Sequence, residues 1–180
     1  GAERIRPDSS LPTITDTVTI DGRSQPGFAG TPLIELRGDN AGADVDGLTF
    51  SGTSDGSVVR GLVIYDFTRD GILIQSGADN ITVAGNWIGT TGTGSTGVGN
   101  GDDGIDIAGS NAIIGGTGAF DRNVITNNAD EGISVVGSGV TGHVIQGNYI
   151  GLDPDGSTSV TGNTDVGIAV YSGSGNTIGG

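Results

Sequence analysis

Four carboxylates stand at one repeated place in the chain. Asp46, Asp70, Asp103 and Glu131 each precede a glycine that opens an apolar, any, apolar pattern: DGLTF at 46–50, DGILI at 70–74, DGIDI at 103–107 and EGISV at 131–135. In a fifth copy, VGIAV at 166–170, Val166 takes the place of the acid. Copies stacked in register would set these carboxylates about 5 Å apart in a row. Like charges that close destabilise a fold unless they are solvated, cap backbone amides or share a cation. An oxygen-only set suits calcium, so Asp70, Asp103 and Glu131 are candidate ligands. Asp153 and Asp155, in the run Asp153-Pro154-Asp155-Gly156-Ser157, resemble the start of a calcium loop but lack the bidentate glutamate that closes one. Turn capping in water is the plainer use of all these acids, and no cofactor other than calcium is expected.

Trp87 and Tyr149 share one position in the related runs GNWIG at 85–89 and GNYIG at 147–151. On an alternating strand they flank inward Ile88 and Ile150, so they face outward. There they form a sugar-stacking surface or pack beneath neighbouring loops. His143 stands alone and reads as a turn donor, while Arg60, Arg69 and Arg122 are expected to pair with nearby acids. Glycosidic cleavage needs two carboxylates, one with its pKa raised by burial. Asp102 and Asp103 are adjacent in a turn whose side chains are expected to diverge into solvent, so no catalytic residue is assigned.

The elements that must position these residues follow from composition and repetition. The 180 residues contain 37 glycines, no cysteine and no methionine, and 7 basic against 21 acidic residues leave a net charge of −14. One domain fits this length. Isoleucine and valine outnumber leucine, lysine is absent, and β-branched residues dominate, which excludes a mainly helical fold. The acidic surface repels nucleic acid and anionic membranes. No apolar run is long enough to cross a bilayer.

The glycines at 47, 71, 104, 132 and 167 open one strand family, spaced 24, 33, 28 and 35 residues apart. A second family follows each of them (SVVRG, NITVAG, NAIIGG, GHVIQG, NTIGG), and a third lies just beyond (GLVI, GNWIG, NVI, GNYIG). Three short strands recurring at fixed offsets, joined by Gly, Asn, Asp and Ser turns, predict a coil that winds and stacks on itself. Ile72 and Ile74, Ile105 and Ile107, Ile133 and Val135, and Ile168 and Val170 should point inward as aliphatic ladders, with Val59, Val83 and Ile145 on another side. Asn86, Asn148 and Asn123 sit at turns where side-chain amides can bond along the axis. Two insertions, 90–100 and 152–163, should stack two coils apart at one corner. Before Asp46 the pattern is less regular: 11–22 reads as one or two strands and 32–36 as another. The prediction is an all-β, right-handed parallel β-helix of five to six coils, three short strands per coil, forming a single domain over 1–180.

The runs LPTITDTVTIDGRSQPGFAGTPLIEL, VVRGLVI, ITVAGNWIGT, DRNVITNNADEGI and HVIQGNYIGLDPDG resemble right-handed parallel β-helix repeats of very large bacterial surface proteins, over roughly residues 11–180. Members often carry an N-terminal Cys-Ser-Leu-Arg-Glu-Ala signature, which this sequence lacks. The resemblance implies an extracellular or cell-surface solenoid segment of a longer chain, serving as a structural or adhesion scaffold rather than a catalyst. Its partners would be glycans, other surface proteins or further copies stacked through exposed coil ends into a fibre. Polygalacturonase-type hydrolases also resemble this fold. Of their motifs the chain has Asn163-Thr164-Asp165, Asp102-Asp103 and Gly142-His143, but in reverse order and with no lysine. A carbohydrate-binding or polysaccharide-cleaving β-helix, of hydrolase or lyase type, is therefore the alternative expectation.

Overall fold

A computed structural model describes residues 3–94, 98–157 and 162–179. Coil one contributes β1 (Glu3–Ile5) and β2 (Thr19–Asp21), and coil two β3 (Ile34–Arg37), β4 (Leu48–Phe50) and β5 (Val58–Arg60). Coil three holds β6 (Leu62–Tyr65), β7 (Ile72–Ile74) and β8 (Thr82–Ala84); coil four holds β9 (Trp87–Ile88), β10 (Ile105–Ile107) and β11 (Ile113–Gly115). Coil five holds β12 (Val124–Ile125), β13 (Ile133–Val135) and β14 (Val144–Gln146), and coil six β15 (Tyr149–Ile150), β16 (Ile168–Val170) and β17 (Thr177–Ile178). The first sheet runs β1-β3-β6-β9-β12-β15, the second β4-β7-β10-β13-β16 and the third β2-β5-β8-β11-β14-β17. All pairings are parallel and join successive coils, so the chain is a parallel β-helix of six coils. Coil one lacks a strand in the second sheet, and a single bridge from Ile14 to Phe50 stands in for it.

The core is built from the columns that alternation places inside. Leu48, Ile72, Ile105, Ile133 and Ile168 share one register position, and Phe50, Ile74, Ile107, Val135 and Val170 another. In the third sheet Ile20, Val59, Val83, Ile114, Ile145 and Ile178 align in the same way. Residues of the middle coils in these columns are fully buried, whereas Val170 and Ile178 of coil six are 43% and 50% exposed. Each buried isoleucine adds roughly 1.5–3 kcal/mol, which a single coil cannot collect without a neighbour. Strand β1 lies outside the apolar pattern because a charge pair joins it to the sheet: Arg4 donates to Glu35 at 2.8 Å, one step along the same column.

The glycine before the second-sheet strand has a steric cause in coils two to five. A Cβ on Gly104 would stand 2.5 Å from the Gly132 carbonyl oxygen of the next coil and 2.6 Å from Ile125 Cγ2. A side chain there would force the coils apart.

Candidate functional site

Each of the three corners carries a polar ladder. Between the third and first sheets, the side-chain oxygens of Asn86, Asn123 and Asn148 accept from the amides of Leu62, Asn86 and Asn123, at 3.0, 2.9 and 3.2 Å. Their Nδ2 groups donate to the Val59, Val83 and Ile114 carbonyls. Between the first and second sheets, Asn100, Asn128 and Asn163 accept in the same sense from Phe67, Asn100 and Asn128. At the remaining corner, Asp55 accepts from the Asp79 amide, Asp79 from Ser110 and Ser110 Oγ from Thr141. The 86–123–148 ladder matches the sequence expectation. The 100–128–163 ladder is not among the sequence expectations, although an Asn stands four residues before each of Gly104, Gly132 and Gly167.

The carboxylate row exists and is used for backbone capping. Asp46 accepts from the Asp70 amide at 3.3 Å, Asp70 from Asp103 at 3.0 Å and Asp103 from Glu131 at 2.9 Å. Asp70, Asp103 and Glu131 are buried, at 2%, 8% and 4% exposure, so the expectation that Asp103 diverges into solvent is corrected. Burial pushes the Asp70 carboxyl up to about 7. Burial together with the hydrogen bond to Glu131 pushes Asp103 up to about 8. Glu131 is held below the usual range by Tyr171 Oη, which donates to it, and by Asp103. Of these two, Asp103 is the carboxyl that burial pushes toward its protonated form. The acids are not spread evenly around the corners: Asp102, Asp103 and Asp130 bring carboxylate oxygens within 4.8 Å of one another, and so do Asp130, Glu131 and Asp165. These triads are the residues that could hold a cation. Of the calcium candidates read from the sequence, only Asp103 and Glu131 belong to them; Asp70, Asp153 and Asp155 join no such group among the described residues. Asp155 instead accepts from the Ser157 amide at 2.8 Å.

His143 is fully buried and accepts through Nδ1 from the Ala112 amide at 3.2 Å, so it is an acceptor and not the expected donor. Its other nitrogen then carries the proton and has no partner among the described residues. Burial lowers its pKa and keeps the ring neutral. Asn163 is a rung of the corner ladder and His143 caps Ala112 ahead of the third sheet, so the fragment at 142–143 stands apart, whereas those at 102–103 and 163–165 meet at one corner on either side of Asp130.

The outer face of the first sheet holds a cleft. Glu35, Val63, Trp87, Val124 and Tyr149 follow one another along its outward column. Trp87 and Tyr149 are thus two coils apart, as expected. One wall comes from the insertions at 22–33 and 116–122. Phe28 meets Phe120 edge-on at 5.6 Å between centroids. Arg23 lies outside the regular repeat, and nothing in the local sequence singles it out. It clamps the two insertions by donating to Asp121 Oδ1 at 3.1 Å, the Ala84 carbonyl at 3.0 Å and the Phe120 carbonyl. The other wall comes from Gly92 to Gly94 of one long insertion and Asp153 to Asp155 of the other, which stack as expected: a Cβ on Gly94 would lie 3.4 Å from Pro154. Residues 95–97 and 158–161 of those insertions lie outside the described residues.

The cleft encloses about 620 Å³ between Trp87, Val124, Phe120, Arg122, Thr117 and Pro154. A second lobe of about 310 Å³ continues from Trp87 to Thr31, Thr93, Asp153 and Asp155. Of the two expected places for Tyr149, the structure gives the one packed beneath a corner loop. Arg122 lies 4.0 Å over its ring, and Gly156 packs so close that a Cβ would reach Tyr149 Oη at 2.9 Å. Arg60 pairs with Asp21 at 2.8 Å and Arg69 approaches Asp46 at 3.9 Å, but Arg122 departs from the expected pairing with an acid. Its Nε donates to the Gly147 carbonyl at 2.9 Å. Comparison with family models, curated proteins and solved structures finds no match. Function is therefore argued from this geometry alone.

Proposed function

We propose that the chain is a rigid, non-catalytic scaffold or spacer, displayed outside the cell or at its surface, that acts by holding shape and presenting its corner loops. The observation that supports this is the fate of the polar side chains. Asp70, Asp103, Asn123, His143 and Asn163 each spend a side-chain acceptor on a backbone amide of the neighbouring coil. Groups fixed in that way stiffen the axis and are not free to exchange protons with a substrate.

The absence of cysteine makes the test direct. Spin labels on Ala43→Cys in coil two and Val166→Cys in coil six should report one narrow distance, of the order of four strand spacings, about 19 Å plus the label length. A broad or two-peaked distribution rejects the rigid rod. The same protein incubated with acidic and neutral polysaccharides should release neither reducing ends nor unsaturated products, and turnover removed by Asp103→Asn would overturn the non-catalytic part.

A further inference from the structure

We propose that the first-sheet cleft binds an oligosaccharide that ends in a carboxylated sugar, with the carboxylate at Arg122 and the neutral units extending past Trp87 toward Asp153 and Asp155. Arg122 carries the argument. The chain has seven arginines, and six stand within 4.0 Å of a carboxylate: Arg4, Arg6, Arg23, Arg37, Arg60 and Arg69. Arg122, the seventh, has no carboxylate at that distance among the described residues. In a chain of net charge −14 this cation is exposed, yet it is held in place by stacking on Tyr149 and by the bond from its Nε to Gly147. A guanidinium fixed by ring stacking keeps its remaining donors aimed, and those donors match a carboxylate.

The two lobes differ in chemistry. At the Arg122 end lie Phe120, 50% exposed, and Thr117, and the adjacent acid Asp121 is already paired with Arg23. At the far end Asp153 and Asp155 supply acceptors suited to hydroxyl groups and repel a second carboxylate. Trp87 joins both lobes and gives an apolar face between them. A ligand charged along its whole length would suit one lobe only, whereas a saccharide acidic at one end suits both. The volume of the larger lobe falls within the roughly 300–1,000 Å³ of small-molecule sites. Charges on the rest of the molecule are screened beyond about 8 Å at physiological salt, so Arg122 governs the charge met at its own lobe.

Trp87 is the only tryptophan and therefore reports on the cleft directly. Fluorescence titration with sialyllactose and with a glucuronate-terminated disaccharide, each beside its uncharged match (lactose and the methyl ester), should give saturable change with at least one acidic probe. Its neutral match should bind at least about tenfold more weakly. R122Q should lose about tenfold or more, and Arg122→Lys should fall between. Thr117→Glu, at an exposed loop position, sets a like charge where the carboxylate docks and should abolish binding with melting unchanged, which keeps the idea testable if R122Q unfolds. No response to either acidic probe, equal binding of the neutral match, or full affinity in Thr117→Glu overturns the assignment. None of these outcomes bears on the rigidity of the rod.

Discussion

Asn123 takes part in five hydrogen bonds within one corner: its oxygen accepts from the amide and side chain of Asn86, its side chain donates to Val83 and Asn148, and its own amide donates to Asn148. Asn123→Ala leaves the Asn86 amide and the Val83 carbonyl unpaired in a dry site. The expected loss is roughly 2–4 kcal/mol in a denaturant titration, and Asn123→Asp should not recover it because a carboxylate cannot donate. The carboxylate row yields a prediction of opposite character. Asp70 and Asp103 titrate near 7 and 8 when folded, against about 3.9 in an unfolded chain. The folded state therefore binds more protons through this interval, and stability falls as pH rises from about 4 through about 8. Glu131, held low, has the reverse sign, but its contribution is lost only as pH falls through its lowered value. The groups facing the pair are Asp46, Asp102 and Asp106 beside Asp70, and Glu131 beside Asp103. Asp103→Asn copies the protonated acid, so it should flatten the pH profile of the melting temperature and raise it at alkaline pH. A steeper profile in this variant would refute the assignment of this pH dependence to Asp103.

At the scale of the strand and its turn, the glycine that opens the second-sheet strand in coils two to five answers to the coil above it. Gly104→Ala puts a methyl into the Gly132 carbonyl and should cost roughly 1–3 kcal/mol. Gly167→Ala meets nothing closer than Ile150 Cγ2 at 3.2 Å and should be nearly neutral by the same thermal melt. This motif is the most legible part of the sequence because alternation and steric exclusion both act within five residues. The second asparagine ladder is legible as well: its spacings of 28 and 35 equal those of the glycines it precedes, but insertions of unequal length conceal it. Strand β1 is not legible. It is too short to alternate, and an ion pair from a coil more than thirty residues away fixes it. Arg122 escapes a sequence reading for a related reason, since an arginine that stacks on a ring leaves no trace in the local sequence.

For the whole molecule, coils two to five each depend on two neighbours, and coils one and six on one each among the described residues. Hydrogen exchange should be slowest for the amides of β7 and β10 and fastest for β16 and β17, in a graded order. Uniform protection along the axis would contradict nearest-neighbour stacking. The three-sided section and a range of five to six coils can be read from repetition, and the structure settles the count at six. The cleft cannot, because its walls come from insertions at different corners, and only the stacking of coils brings Thr31, Trp87, Phe120 and Pro154 to one place.

The opposing insertions are rooted in particular coils: 22–33 opens coil two and 116–122 opens coil five, while 90–100 and 152–163 follow the first strands of coils four and six. Their separation is therefore counted in whole turns. Duplication or loss of one turn between coils four and five would shift a wall by a strand spacing, about 4.8 Å, and break the Phe28–Phe120 and Gly94–Pro154 contacts together. A lineage can add turns beyond this block and lengthen the rod without consequence for the cleft. Within the block, gene-level change by repeat slippage has no small steps, so coils two through six are inherited as one unit or the cleft is lost.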